Sequence, residues 1–204
     1  MQPERPLVYI RHPDAVMTAG IAALLDREGF DIVKRADDAV GPAQASVIVT
    51  DHGEGIRLAQ EYGLIPAQCP PILVITSHDK EFQVRNALDA GVHGYLLQDC
   101  SAGELGDAVR QLARGGRYVS ARVAGSIADS LTRAMLTPRE TDVLQLLASG
   151  RCNKLIAREL DIGVGTVKTH IKGLLTKLGA KARTHAVVIA SQRGLIEAGA
   201  ANLF

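Results

Sequence analysis

Five short β-branched runs alternate with amphipathic stretches between residues 7 and 115, and no other feature narrows the possible folds as far. The runs are Leu7 to Arg11, Asp31 to Lys34, Ser46 to Thr50, Ile72 to Thr76 and Gly94 to Leu97. Between them, about Ala15 to Glu28, Gly55 to Tyr62, Lys80 to Ala90 and Ala102 to Arg114 read as helices, the last with Leu105, Ala108, Val109 and Leu112 spaced for burial. Only a short or irregular helix fits between Lys34 and Ser46. Alternation of this kind predicts an α/β doubly wound domain of the flavodoxin-like type, with a five-stranded parallel sheet and right-handed crossovers. Ligands of such folds sit at the carboxyl ends of the strands.

That edge gathers His12, Pro13 and Asp14 after the first strand, Asp51 and His52 after the third, Thr76 and Ser77 after the fourth, and Gln98 after the fifth. His12, Asp14, Asp51, His52 and His78 are of types that can ligate a transition metal, but histidines on loop edges are more often solvated, and no metal is expected. No phosphate-cradling glycine loop and no nucleophile with an adjacent base is present, so no catalytic residue is expected and an enzyme is disfavoured.

The stretch from Leu136 to Gly179 has a different grammar. Thr137-Pro138-Arg139-Glu140 is a capping box with Pro at the first helical position, followed by Val143, Leu144 and Leu147 on one face and a stop at Ser149-Gly150. A second helix runs from about Asn153 to Leu160, burying Ile156 and Leu160, and ends in the turn Asp161-Ile162-Gly163. A third runs from about Val164 to Leu178 and meets Gly179, suited to a left-handed cap. On its wheel Val167, Ile171, Leu174, Leu175 and Leu178 share one side, while Lys168, Thr169, Lys172 and Thr176 share the other. The cationic, hydroxylic side suits the major groove of double-stranded DNA. Spacing alone leaves a helical bundle with a solvated Lys/Thr face equally open. Arg183 to Arg193 reads as a fourth helix, and 117–135 as a connector helix with Val123, Ile127 and Leu131 four apart.

The net charge of +1 conceals an asymmetry. Residues 1–135 hold 13 Lys/Arg against 17 Asp/Glu, and residues 136–204 hold 10 against 5, so the halves carry −4 and +5. A polyanion-binding module joined to a mildly acidic one has this footprint. Cys69, Cys100 and Cys152 are too few and too irregularly spaced for a disulfide framework or a zinc site, which points to a reducing cytoplasm, with a redox switch as the minor alternative. No signal peptide and no run of about eighteen apolar residues is present, so no membrane association is expected. With no Trp and 3% aromatic residues, single-strand binding by base stacking is disfavoured.

Leu-Thr-Pro-Arg-Glu (136–140), Asn-Lys-Leu-Ile-Ala (153–157) and Gly-Thr-Val-Lys-Thr-His-Ile (165–171) closely resemble the LuxR-type helix-turn-helix of the NarL/FixJ response-regulator class, over Leu136 to about Leu195. The resemblance implies a helix-turn-helix at about 153–173, with Lys168, Thr169 and Lys172 on base edges and nearby phosphates. It places Asn153, Lys154 and Thr166 on the DNA backbone, and it implies a homodimer. This chain has Cys152 and Gly163 where the family usually has Ser. Val-Ile-Val-Thr-Asp (47–51), Leu-Val-Ile-Thr-Ser-His-Asp (73–79) and Gly-Val-His-Gly-Tyr-Leu-Leu-Gln-Asp (91–99) resemble the receiver domain of response regulators. The organisation so implied is a receiver-like domain over 1–116, a connector over 117–135 and a helix-turn-helix domain over 136–204.

In receivers an aspartate at the position of Asp51 accepts a phosphoryl group, an acidic pair after the first strand binds Mg²⁺, and a Thr/Ser (here Thr76) and a Lys contact the phosphoryl oxygens. Here either Ile10-Arg11 or His12-Pro13 occupies the acidic pair, the Lys is Gln98, and the loop after Asp51 is about four residues short. His12, Asp14, Thr76 and Gln98 therefore make a degenerate pocket, and Asp51 is a phosphoacceptor position expected to be inactive. Phosphoryl transfer needs cationic compensation that this set lacks. Arg11, if turned inward, is expected to pair with Asp51. No cofactor is expected, Mg²⁺ entering only if Asp51 is phosphorylated. A sensor histidine kinase or another protein would supply the input. Tyr95 matches an aromatic whose rotamer reports activation, and is expected to be half-buried.

Overall fold

The computed structural model describes residues 5–34, 41–63, 70–130 and 134–196. Leu131, Cys69 and the tail from Glu197 lie outside them. The chain divides into two compact units, one within 1–127 and the other within 128–204, residues 80–83 aside.

The first unit is a parallel sheet in the order β2-β1-β3-β4-β5-β6. Its strands are β1 Leu7–Arg11, β2 Asp31–Lys34, β3 Val47–Thr50, β4 Ile72–Thr76, β5 Gly94–Leu97 and β6 Tyr118–Val119. The helices are α1 Ala15–Arg27, α2 His52–Tyr62, α3 Glu81–Asp89, α4 Ala102–Ala113 and α5 Ala121–Ser130, with a 3-10 turn at Pro42–Gln44. β3, β4 and β5 are buried at every position, as central parallel strands covered on both faces must be. One face carries Val8, Ile10, Leu25, Val49, Leu73, Leu96, Leu105 and Leu112, and the other Ile48, Leu58, Val74, Val84 and Tyr95.

Three expectations need correction here. The sheet has six strands, because Tyr118–Val119 pair with Gly94 and Tyr95. Two residues are too few to show alternation, so the stretch reads as connector in sequence. Val123 of α5 is buried against the second face and Ile127 packs there too, so residues 117–127 continue the first unit rather than leave it. The third correction is that α2 begins at His52, not Gly55, since Asp51 caps it.

Among its described residues the second unit has four helices, α6 Pro138–Ala148, α7 Asn153–Glu159, α8 Val164–Leu178 and α9 Arg183–Gln192. Val143, Leu144, Leu147, Ile156, Val167, Leu174, Leu178, Ala186 and Ala190 form one core. Both parts of the capping box at Thr137 are made. Gly179 stops α8 in the left-handed region at φ 66°, and the α7–α8 turn places Asp161 there at φ 52°. Aspartate is among the few side chains that adopt this conformation readily.

Candidate nucleic-acid interface and receiver-like cleft

Lys168, Thr169, Lys172 and Thr176 all lie on the exposed face of α8, opposite buried Val167, Leu174 and Leu178. Thr169 and Thr176 hydroxyls donate back to the carbonyls of Gly165 and Lys172, at 3.2 and 3.0 Å. Both hydroxyl oxygens can still accept. Thr166 and Lys154 are exposed and Asn153 is half-buried. Cys152 and Gly163 take the N-cap positions of α7 and α8, and neither gives a side-chain cap. The amides of Leu155 and Lys154 hold the exposed Cys152 thiol below its ordinary value, against a smaller effect of burial.

A connection invisible in the sequence holds α8 in place. Glu140, 6% exposed, accepts from the Thr137 N–H at 2.7 Å, the Thr137 hydroxyl at 3.0 Å and Lys177 Nζ at 2.6 Å. Burial pushes its carboxyl upward, but the hydrogen bonds from Lys177 and Thr137, with the lysine's charge, outweigh that and leave it below the ordinary range. Its contribution to stability is complete above the unfolded value, about 4.3, and is lost as pH falls through the lower folded value. Thermal melting of the second unit should therefore fall more steeply between about pH 5 and 3 in the native chain than in Lys177→Met, where the depression is relieved. Parallel melting curves for the two would refute this.

The carboxyl edge of the sheet separates the expected pocket residues. A cleft of about 230 Å³ is lined by Arg11, His12, Pro13, Asp51 and Glu54, so His12 and Asp51 come together while Asp14, Thr76 and Gln98 stay outside it. Asp14 is exposed and caps α1, accepting from Val16 and Met17 N–H at 2.7 and 3.1 Å. Asp51 caps α2, accepting from Glu54 N–H at 3.0 Å. Thr76 is buried and accepts from His78 N–H at 3.2 Å, and Gln98 is exposed.

Arg11 turns inward, but to Glu54 rather than Asp51. Its Nε lies 2.5 Å from Glu54 Oε1, yet its N–H finds no aligned acceptor, so this is an ion contact more than a hydrogen bond. Glu54 carries no signal as a cleft residue in the sequence, where the stretch after Asp51 reads as a loop, whereas here it lies in the first turn of α2. Tyr95 is fully buried, not half-buried, with its hydroxyl donating to His78 O at 2.9 Å and 3.2 Å from His52 Nδ1. Burial, then His78, hold His52 below its ordinary value, with Asp51 opposing.

The fold family implies Mg²⁺ at this edge, and these residues do not fit it. Mg²⁺ demands oxygen donors in octahedral array, whereas the cleft presents a guanidinium, an imidazole and two carboxylates, one already accepting a cap bond. Among the described residues no group of three or more His, Cys, Asp or Glu side chains could hold a metal ion. None of the described helices is long and apolar enough to cross a membrane.

The geometry is that of a doubly wound parallel-sheet domain joined to a helical domain whose α8 exposes a cationic face. Residues 134–190 match the family described as bacterial regulatory proteins, luxR family. The chain is 38% identical over 131 residues to the response regulator protein VraR of Staphylococcus aureus, a match covering 62% of this chain and 63% of that relative's length. It is 32% identical to the response regulator ChrA of a heme-sensing two-component system, covering 95% of this chain and all of that one, 100%, with a TM-score of 0.50. The chain belongs to the LuxR-type response regulators. RcsB, solved as two dimers bound to two parallel DNAs, shares the fold at 21% identity and a TM-score of 0.65, covering 93% of this chain and 99% of that one.

Proposed function

We propose that the chain is a sequence-specific, double-stranded-DNA-binding transcription regulator of the cytoplasm, acting as a homodimer on paired half-sites. The observation that carries this is the face of α8: Lys168, Thr169 and Lys172 exposed together on a helix whose opposite side is core. The net +5 of residues 136–204 supplies the attraction to phosphates. Asn153, Lys154 and Thr166 are assigned to the DNA backbone, and Lys168, Thr169 and Lys172 to base edges and adjacent phosphates. That RcsB, with the same fold, is found as dimers on DNA supports both DNA and a second copy as partners. A dimer also supplies the affinity that one small module lacks. Selection of duplexes from fragmented genomic DNA by the purified chain, followed by binding titrations at several salt concentrations, tests this. Salt-insensitive binding without sequence preference would overturn it.

The receiver-like domain, 1–116 in the resemblance and continued by the packing of residues 117–127, takes its input from a sensor kinase or another protein without ordinary Mg²⁺-dependent phosphorylation. Asp51 and Asp14 serve as helix caps, and a guanidinium stands in the cleft. Acetyl phosphate with Mg²⁺ should leave the chain unlabelled and its operator affinity unchanged, and Asp51→Ala should bind DNA as the native chain does. Since Asp51 does stand at the end of β3, a conventional phosphorylation switch is the second reading. Mg²⁺-dependent labelling abolished by Asp51→Ala would restore it.

A further inference from the structure

We propose that Arg11 is the resident cation of the receiver-like cleft and is what closes it to divalent metal ions. This rests on the reading of the first unit as a receiver not switched through Mg²⁺, and it assigns the exclusion to one side chain.

Arg11 closes β1, and its backbone is pinned to β3: it sits opposite Thr50 in the register, and Thr50 Oγ1 donates to its carbonyl at 2.6 Å. The guanidinium thus starts from the sheet rim, not from a loop. It reaches Glu54 in the first turn of α2, where the two side chains are 23% and 21% exposed, shielded enough for the pair to outlast moderate salt. Glu54 also pairs with Arg57 along α2, at 2.5 Å, so its carboxylate is met by cations from two elements. From the β1 side the cleft receives Arg11 and His12, and from the α2 side Asp51 and Glu54.

His12 adds nothing that would hold a metal. Its Nδ1 accepts the Asp14 N–H at 3.0 Å, so a neutral ring carries its proton on Nε2, which is buried and has no partner among the described residues. An arginine held on one of two carboxylates offsets their attraction for a divalent ion and competes with it for the same oxygens. Two carboxylates with a third in the arginine's place would form the hard-oxygen set such an ion prefers. The sign of position 11 therefore decides whether this cleft is a metal site.

The test is Mn²⁺ binding to the full chain, followed by the spin-resonance signal of free Mn²⁺, in the native protein, R11D, R11Q and the double variant R11D with D51N. The native chain should show no saturable site at low millimolar Mn²⁺. R11D should gain one site at least about 10-fold tighter than any residual binding, displaced by Mg²⁺ and weakened again by D51N. Where R11D does not hold its fold by circular dichroism, R11Q makes the comparison, with the charge removed and much of the reach kept, and it should bind Mn²⁺ measurably better than the native chain. Native binding equal to R11D, a folded R11D without a site, or, where R11D does not fold, R11Q indistinguishable from the native chain would overturn the proposal. Phosphoryl labelling of the native chain would instead strike the reading it rests on, so the two failures are separable.

Discussion

Lys172→Ala is expected to weaken specific operator binding by about 10- to 100-fold, or about 1–3 kcal/mol, with melting unchanged. Lys172 is exposed on α8, one turn beyond Lys168, and among the described residues no side chain pairs with its ammonium, while its backbone carbonyl accepts from Thr176. Truncation therefore removes a contact to DNA without leaving an orphaned group in the fold. If Lys172 meets a base edge, discrimination narrows at one base pair and leaves the others alone. If it meets only phosphate, affinity falls for all sequences alike and the slope of log affinity against log salt drops by about 1. Titration of Lys172→Ala against single-base operator variants distinguishes the two. Unchanged affinity for every variant would mean that α8 presents some other face.

Gly173→Ala should destabilise the second unit by about 2 kcal/mol, although alanine is the better helix former by about 1 kcal/mol. A Cβ at position 173 would stand 2.6 Å from Glu140 Oε1, and that carboxylate cannot swing away cheaply because Thr137 and Lys177 both hold it. Displacing it would cost the capping box about 1 kcal/mol and a charge-assisted hydrogen bond about 1.5–3 kcal/mol. A double-mutant cycle with Glu140→Ala makes the assignment sharp. Once the carboxylate is gone, Gly173→Ala should become neutral or stabilising, read from calorimetric melting of the full chain. Additive losses would show that Gly173 is needed for some other reason.

These two predictions also mark where sequence is informative and where it is silent. The capping box at Thr137, the apolar stripe of α8 and the left-handed stop at Gly179 are local patterns, and local patterns can be read without knowing the fold. Glu140 was legible as a capping residue, but not as the partner of a lysine 37 positions away, because nothing in a linear spacing reports that distance. Gly173 looked unremarkable for the same reason.

At the sheet edge, the sequence reads as a loop after Asp51 with a helix only from about Gly55. Asp51 as N-cap and the packing of Gly55 against Thr50 and Val74, where a larger residue would collide, start the helix regardless. That early start is what brings Glu54 to Arg11. Arg11 does turn inward, and the partner expected in that case, Asp51, is replaced by Glu54 three positions on because α2 starts at His52. Tyr118–Val119 escaped notice as a strand because a pair of residues has no period.

The aspartate in the turn between α7 and α8 has an effect of its own. Asp161 sets a negative charge at the near end of α8, whose lysines at 168 and 172 follow roughly 6 and 12 Å further along the axis. A long polyanion meeting this helix is pushed from one end and drawn toward the other, which orients the encounter before any base is touched. Replacing Asp161 by glycine would keep the left-handed bend and erase that bias. The signature would be kinetic: a changed association rate at low salt, converging on the native rate once counterions screen the helix.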